Sequence, residues 1–197
     1  MIILFGMAGS GKGTQGKALS EIFGWRWISV GQVLRETGKY KALTDAGELV
    51  PDEEVIKLMS ERISRDEAEG FDIILDGYPR DVVQAEWLAE NMAEKIDGAI
   101  ILEVPEDELM KRLAFRGRDD DKSIETIKQR FDVFKENIAG ILPILESKNI
   151  EIRRINGTGS VEEVTARLVD SVKEICPNAV EQIDDVNGGE IERSYGE

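Results

Sequence analysis

Histidine is absent from the chain and cysteine occurs once, at Cys176. The first absence excludes a Ser-His-Asp triad, a Cys-His protease pair and His-ligated zinc; the second excludes an intrachain disulfide framework. Basic residues are also scarce, with 25 Lys+Arg against 40 Asp+Glu and a formal charge of -15. Such a surface repels nucleic acid and anionic membranes except where basic groups are locally concentrated. Long apolar runs are missing too. Met1 to Phe5 and Ala99 to Leu102 fall far short of the roughly 20 residues that a spanning helix needs, and Gly6 interrupts the first run before it could form a signal-peptide core. The expectation is a cytoplasmic protein with neither nucleic acid nor membrane as a partner. What is present is a 197-residue chain, 41% hydrophobic and 33% charged, the composition of a globular protein. At this length folding removes roughly 70% of the unfolded surface from water, so the core needs no disulfide or structural metal.

Short apolar runs alternate with stretches of helical period: MIILF (1–5), RWIS (26–29), FDIIL (71–75), AIILEV (99–104) and IEIRRI (150–155). The alternation predicts an α/β fold, and the nearly continuous runs at 1, 71 and 99 fit parallel strands covered on both faces. Val55, Ile56, Met59 and Ile63 mark one helical face; Ile127, Phe131, Phe134, Ile138 and Leu142 mark another. Ser160 and Glu163 form a capping-box pattern ahead of Val161, Val164, Leu168 and Val172, so a last helix is expected to end before Pro177 with Cys176 at its end as a small packing residue. Residues 178–197 carry six acidic groups against one basic group, Arg193, and read as a solvated acidic tail.

Directly after the first strand comes GMAGSGKGT, Gly6 to Thr14, followed by a helical face of Ala18, Leu19, Ile22 and Phe23. Strand, glycine loop and helix in that order form a phosphate cradle. Gly9, Gly11 and Gly13 let successive backbone N–H groups approach phosphate oxygens at a helix N-terminus whose dipole favours anions, Ser10 lies within the loop, and Lys12 adds a mobile positive charge. Gly13 follows Lys12, and the hydroxyl residue Thr14 comes one place later than in the commonest form of this motif.

With these residues the chain resembles the nucleoside monophosphate kinases, and among them the short-lid adenylate kinases, whose loop reads GxPGxGKGT; Ala8 stands in place of the proline. The resemblance continues through LDGYPRDVVQ (75–84), similar to the family's LDGFPR and the glutamine that follows. It implies that Gly77 and Arg80 hold the region of the AMP phosphate, that Gln84 bonds the adenine edge, and that Asp76 and Thr14 contact Mg²⁺ through water. ISVGQVLR (28–35) resembles ISTGDLLR, and GELVPDEEV (47–55) resembles GKLVTDELV, which makes Val30, Arg35, Glu48, Leu49 and Val50 candidates for the acceptor site. Val30 and Gln32 replace the family's threonine and aspartate there, so the choice of base is the point they affect, and core packing is the competing reading for Val30, Leu49 and Val50.

KRLAFRGRDDDKSIETIKQR (111–130) resembles RLLKRG, a lid and GRxDDxxETIxxR, except that only Gly117 separates Arg116 from Arg118. The lid is therefore nearly absent, and the acidic run leaves open which of Asp119, Asp120 and Asp121 match the family pair. By resemblance Arg112 grips ATP, Arg116 and Arg118 bear on the transferring phosphoryl group, and Arg130 bridges to the acceptor phosphate. A basic cluster inside an acidic chain also stands out on charge alone. INGTGSVEEV (155–164) resembles the adenine-facing loop, which would bring Gly157 and Gly159 to the ATP base; a plain turn before the last helix is the alternative.

The resemblance implies a phosphate-binding-loop fold, a five-stranded parallel sheet in the order 2-3-1-4-5 flanked by helices. Residues 1–177 would form the kinase domain, with an AMP-binding flap at 29–58 and a minimal lid at 116–121. The reaction implied is MgATP plus AMP giving two ADP, reversibly, by a monomer with Mg²⁺ and without zinc. A UMP/CMP-type pyrimidine nucleotide kinase is the alternative enzyme, and a nucleotide-binding regulatory module without transfer is the alternative of another class.

Overall fold

The computed structural model describes residues 1–40, 50–116 and 123–179. Five parallel strands, β1 (Ile2–Gly6), β2 (Arg26–Ser29), β3 (Ile73–Asp76), β4 (Gly98–Glu103) and β5 (Glu151–Asn156), form one sheet in the order β2-β3-β1-β4-β5. This is the expected order, with β1 at the centre. Its pairing sets the register: Ile3 lies beside Leu75 of β3 and beside Ala99 of β4. The strands fall within two residues of the ends of the apolar runs, and alternate side chains on each reach opposite layers.

Those layers account for the continuous apolar character of the central strands. Ile3, Phe5, Ile28, Ile73, Leu75, Ala99 and Ile101 face α2 (Val30–Thr37), α3 (Asp52–Ala68), α4 (Val82–Asn91) and α6 (Ile124–Ser147). Ile2, Leu4, Ile74, Ile100 and Leu102 face the opposite way, against Leu19 and Phe23 of α1 (Lys12–Phe23) and Val164, Leu168 and Val172 of α7 (Val161–Ile175). A third cluster joins α5 (Glu106–Arg116) to α6 through Leu109, Leu113, Ile127 and Phe131, with Met7 and Ala8 of the glycine loop packed against it. The loop is thereby supported from below by apolar side chains rather than left as a surface turn.

The capping box forms as the sequence implies. Ser160 Oγ accepts the Glu163 N–H at 3.2 Å, and a Glu163 carboxylate oxygen accepts the Ser160 N–H at 2.8 Å. Cys176 closes α7, and burial, with Asp97 nearby, pushes its thiol up to about 12, in keeping with a packing role. The structure differs from the sequence reading in α6, whose apolar stripe ends at Leu142 but whose helix runs through Pro143 to Ser147. Burial of Ile141 and Leu145 across that point holds the last turn in place despite the missing proline N–H. No described helix is long and apolar enough to cross a membrane. Part of the expected flap, residues 41–49, nearly all of the expected lid and residues 180–197 of the expected tail lie outside the described residues.

Candidate active site

All five strands run parallel, so their carboxyl ends form a single rim, the place where open α/β sheets hold ligands. The glycine loop leaves that rim from β1. Gly11 caps α1 with φ 95°, a left-handed conformation that a β-carbon would strain, and this turn aims the first amides of the helix outward. Lys12, the first residue of α1, folds back so that its ammonium donates to the carbonyl oxygens of Gly6 and, at 3.1 Å, Met7. Ser10 is buried and its hydroxyl has no hydrogen-bond partner, while Thr14 is exposed on the first turn.

Asp76 ends β3 beside this loop, and it is 7% exposed. Burial raises its carboxyl above the usual carboxylate value, and the charges of Lys12 and then Arg80 pull it back down. Gly13 lies directly over that group, where a β-carbon would come into ordinary contact with the Asp76 carboxylate at 3.7 Å. Among the described residues no three His, Cys, Asp or Glu side chains come together as a metal site. A single carboxylate at a phosphate cradle suits Mg²⁺, which keeps most of its water and binds through one or two carboxylates plus phosphate oxygens.

Arg80 follows β3 on the turn that contains Gly77, and its Nε donates to the Gly77 carbonyl at 3.0 Å. Its side chain is exposed to solvent, yet it sits among many protein atoms. That crowding lowers its pKa, Asp76 opposes the shift, and Arg130 and Arg35 add to it as like charges. The guanidinium groups of Arg35 and Arg80 also converge over Gly31, whose β-carbon would lie 3.3 Å from the first and 3.7 Å from the second. Three arginines from α2, the turn after β3 and α6 thus gather near Arg80, and Arg80 and Lys12 both act on Asp76.

Arg112 lies elsewhere. Its guanidinium pairs with Glu108 at 3.0 Å and donates twice to the Gly157 carbonyl at 3.3 Å, tying α5 to the loop after β5. Gly159 in that loop has φ 108° and faces Glu163 and Arg167. Of the other acceptor candidates, Val30 is 1% exposed beside Gly77, and Val50 is buried in the core. Gln84 is buried at the start of α4 and bonded to Asp52, Asp81 and the Arg80 backbone. Glu48, Leu49, Arg118 and the side chain of Arg116 lie outside the described residues.

Sequence reasoning missed several groups that shape this rim. Trp27 packs its indole against α1, where a β-carbon on Gly16 would come within 2.4 Å of its Nε1. Gln15, also buried, donates to the Val161 carbonyl at 3.1 Å and accepts from Thr165 at 2.8 Å, linking the cradle helix to α7. Arg167 donates to the Asn156 and Thr158 carbonyls at 2.6 and 2.7 Å and so sets the shape of the loop beside Arg112. The only local signal for any of them was Gly16, a helix-interior glycine whose space the structure shows to be filled by Trp27.

A glycine cradle on the central strand of this sheet, with a lysine, one buried carboxylate and converging guanidinium groups around it, defines a phosphate-binding-loop phosphotransferase. A family model described as adenylate kinase matches residues 4–150. An adenylate kinase from Mycolicibacterium smegmatis is 39% identical over 183 residues, covering 87% of this chain and 98% of its own length. Relatives of the same name from Porphyromonas gingivalis and Archaeoglobus fulgidus are 37% and 36% identical, with 85% and 83% of this chain covered and 92% and 93% of theirs. The chain belongs to the adenylate kinase family.

Proposed function

We propose that this protein transfers the terminal phosphoryl group of ATP reversibly to AMP, giving two ADP, with Mg²⁺ as the required ion. The observation that carries the reading is the juxtaposition at Asp76: Lys12 of the cradle and Arg80 both act on its charge, and Arg35 and Arg130 lie near Arg80. Two phosphate-binding half-sites therefore meet at a single point, as transfer between two nucleotides requires.

The AMP phosphate has a second pKa near ~6 and is largely dianionic at neutral pH, so its oxygen attacks without a side-chain base. A bond forms from that oxygen to the γ-phosphorus as the bond from the γ-phosphorus to the β,γ-bridging oxygen breaks, and the electron pair leaves on ADP. A chain without histidine loses nothing in such a reaction. Its task is to align the two phosphates and neutralise the charge they share.

In this reading the amides of Gly9, Ser10, Gly11, Gly13 and Thr14 and the ammonium of Lys12 hold the donor phosphates. Arg112, Gly157 and Gly159 form the ATP base and sugar side. Arg35, Gly77, Arg80 and Arg130 hold the acceptor phosphate, and Gln84 with Val30, Glu48, Leu49 and Val50 borders its base. Arg116 and Arg118 complete the cover over the transferring group. Asp76 and Thr14 hold Mg²⁺ through water, and the ion, when bound, neutralises phosphate oxygens. Residues 1–177 constitute the kinase domain, with 29–58 as the flap, 116–121 as the minimal lid and 178–197 as an acidic tail; the protein works as a cytoplasmic monomer.

Lys12→Met tests the assignment. Steady-state ADP formation from MgATP and AMP is expected to fall by about 10²–10³-fold in turnover, the size of effect seen when one donor to a developing anion is removed, while the circular dichroism spectrum stays that of the parent. Unchanged turnover would refute the role given to Lys12.

A further inference from the structure

Trp27 stands on β2 beside Ile74 of β3, two residues before Asp76, so the Trp27 and Asp76 side chains leave the sheet on the same face. That face carries α1, and the indole lies along it. A β-carbon on Gly16 would come 2.4 Å from the indole Nε1, and one on Gly13 would lie 3.8 Å from its Cζ2. The same Gly13 β-carbon would lie 3.7 Å from Oδ2 of Asp76, so ring and carboxylate share one residue of the glycine loop as a neighbour. The Lys17 ammonium covers the ring, 5.2 Å from its centroid.

An indole N–H can only donate, and an ionised carboxylate can only accept. The Nε1–H of Trp27 is buried and makes no full hydrogen bond, and the group it acts on is the Asp76 carboxylate. A buried donor left unpaired is costly, and hydrogen bonds at working sites are often long until the site is filled. Lys12 and Arg80 act on Asp76 as charges. A charge attracts the carboxylate without fixing how it is turned, and the last torsion of an aspartate is a soft one. An N–H on a ring wedged between β2 and α1 fixes that angle.

We propose that Trp27 is a positioning residue for phosphoryl transfer, its indole N–H setting the orientation of the Asp76 carboxylate and thereby its hold on Mg²⁺. The proposal rests on the reading above that Asp76 holds Mg²⁺ through water. Because the same ring lies against Gly13 and Gly16, the carboxylate and the phosphate cradle are held as one unit. Outer groups of this kind change metal affinity or activity by roughly 10–100-fold.

Three variants separate the donor from the packing. Trp27→Phe keeps a ring and removes the N–H. Trp27→His loses the benzene half but keeps an N–H, because Nε2 of an imidazole overlays Nε1 of an indole; at about pH 8 that imidazole is neutral. Asp76→Ala removes the acceptor. Mn²⁺, which favours the same ligands as Mg²⁺, is bound to the full chain with β,γ-imido-ATP and counted from the paramagnetic resonance of the free ion, beside the thermal midpoint. Trp27→Phe is expected to weaken Mn²⁺ about tenfold or more and Asp76→Ala at least as much, with AMP binding unchanged. Trp27→His stays near the parent in Mn²⁺ affinity although its midpoint falls. In the metal-free protein, Asp76→Ala shifts the Trp27 indole N–H resonance and speeds its exchange with water. Mn²⁺ affinity that follows the midpoint across the Phe and His variants, or that is unchanged in Trp27→Phe while Asp76→Ala weakens it, would overturn the positioning role and leave Asp76 as the support of the ion. Affinity unchanged in Asp76→Ala would overturn the underlying reading together with the proposal. Should Trp27→Phe fail to fold, the indole resonance decides: if Asp76→Ala leaves it unmoved, the proposal is overturned.

Discussion

Burial raises the Asp76 carboxyl above its ordinary value, and Lys12 and Arg80 draw it back without cancelling the shift. A group whose folded pKa lies above its unfolded one contributes stability that is fully present below the unfolded value and is lost as pH rises through the folded value. Once ionised, the carboxylate is therefore a cost that the fold carries for the sake of the site. Asp76→Asn removes the charge at nearly constant shape. Its thermal midpoint at neutral pH is expected to lie above the parent's, while turnover falls at least about tenfold, the scale of losses when a group supporting a bound ion is altered. A midpoint equal to or below the parent's would show that the charge contacts outweigh the burial. The motif itself made Lys12, Asp76 and Arg80 legible, because each stands within a few residues of the glycines or the strand that identify it. The hydrogen bond from Gln84 to Asp52 was not legible, since Asp52 lies 32 positions away and only the packing of α3 on α4 brings it there.

Between elements, the closest fit in the site's scaffold is that of β2 to α1. Trp27 fills the space left by Gly16, and Lys17 lies 5.2 Å over its ring. Gly16→Ala is expected to cost about 1–3 kcal/mol in urea unfolding, the range for overpacking a close contact, although alanine is the better helix former. Trp27→Leu in the same chain should restore most of that loss, and a simple sum of the two single effects would contradict the pairing. The five strands were readable because apolar runs of strand length recur between helical stripes. α2 and α4 were not, for different reasons. α2 has eight residues and starts on Val30 and Gly31, poor helix formers, so its shape depends on burying Val30, Val33 and Leu34. α4 exposes Val82 and Val83 while burying Ala85, Leu88 and Ala89, which blurs the apolar stripe.

Taken whole, the molecule places converging cations on the rim of a chain with formal charge -15. Self-repulsion among the remaining acidic groups opposes the compact state and is screened by salt. The thermal midpoint is accordingly expected to rise from low to physiological ionic strength, and a fall would mean that attractive ion pairs dominate instead. The fold class and strand order followed from the alternation of elements and the loop's resemblance to a known family, whereas the convergence of Arg35, Arg80 and Arg130 required three separate elements to close on one another. The most direct measurement is a phosphorus NMR time course of the protein with MgATP, run with and without AMP. Two half-sites meeting at Asp76 should convert equimolar ATP and AMP into ADP with little inorganic phosphate, and should consume ATP slowly when AMP is withheld. Release of inorganic phosphate at the same rate whether or not AMP is present would contradict that arrangement.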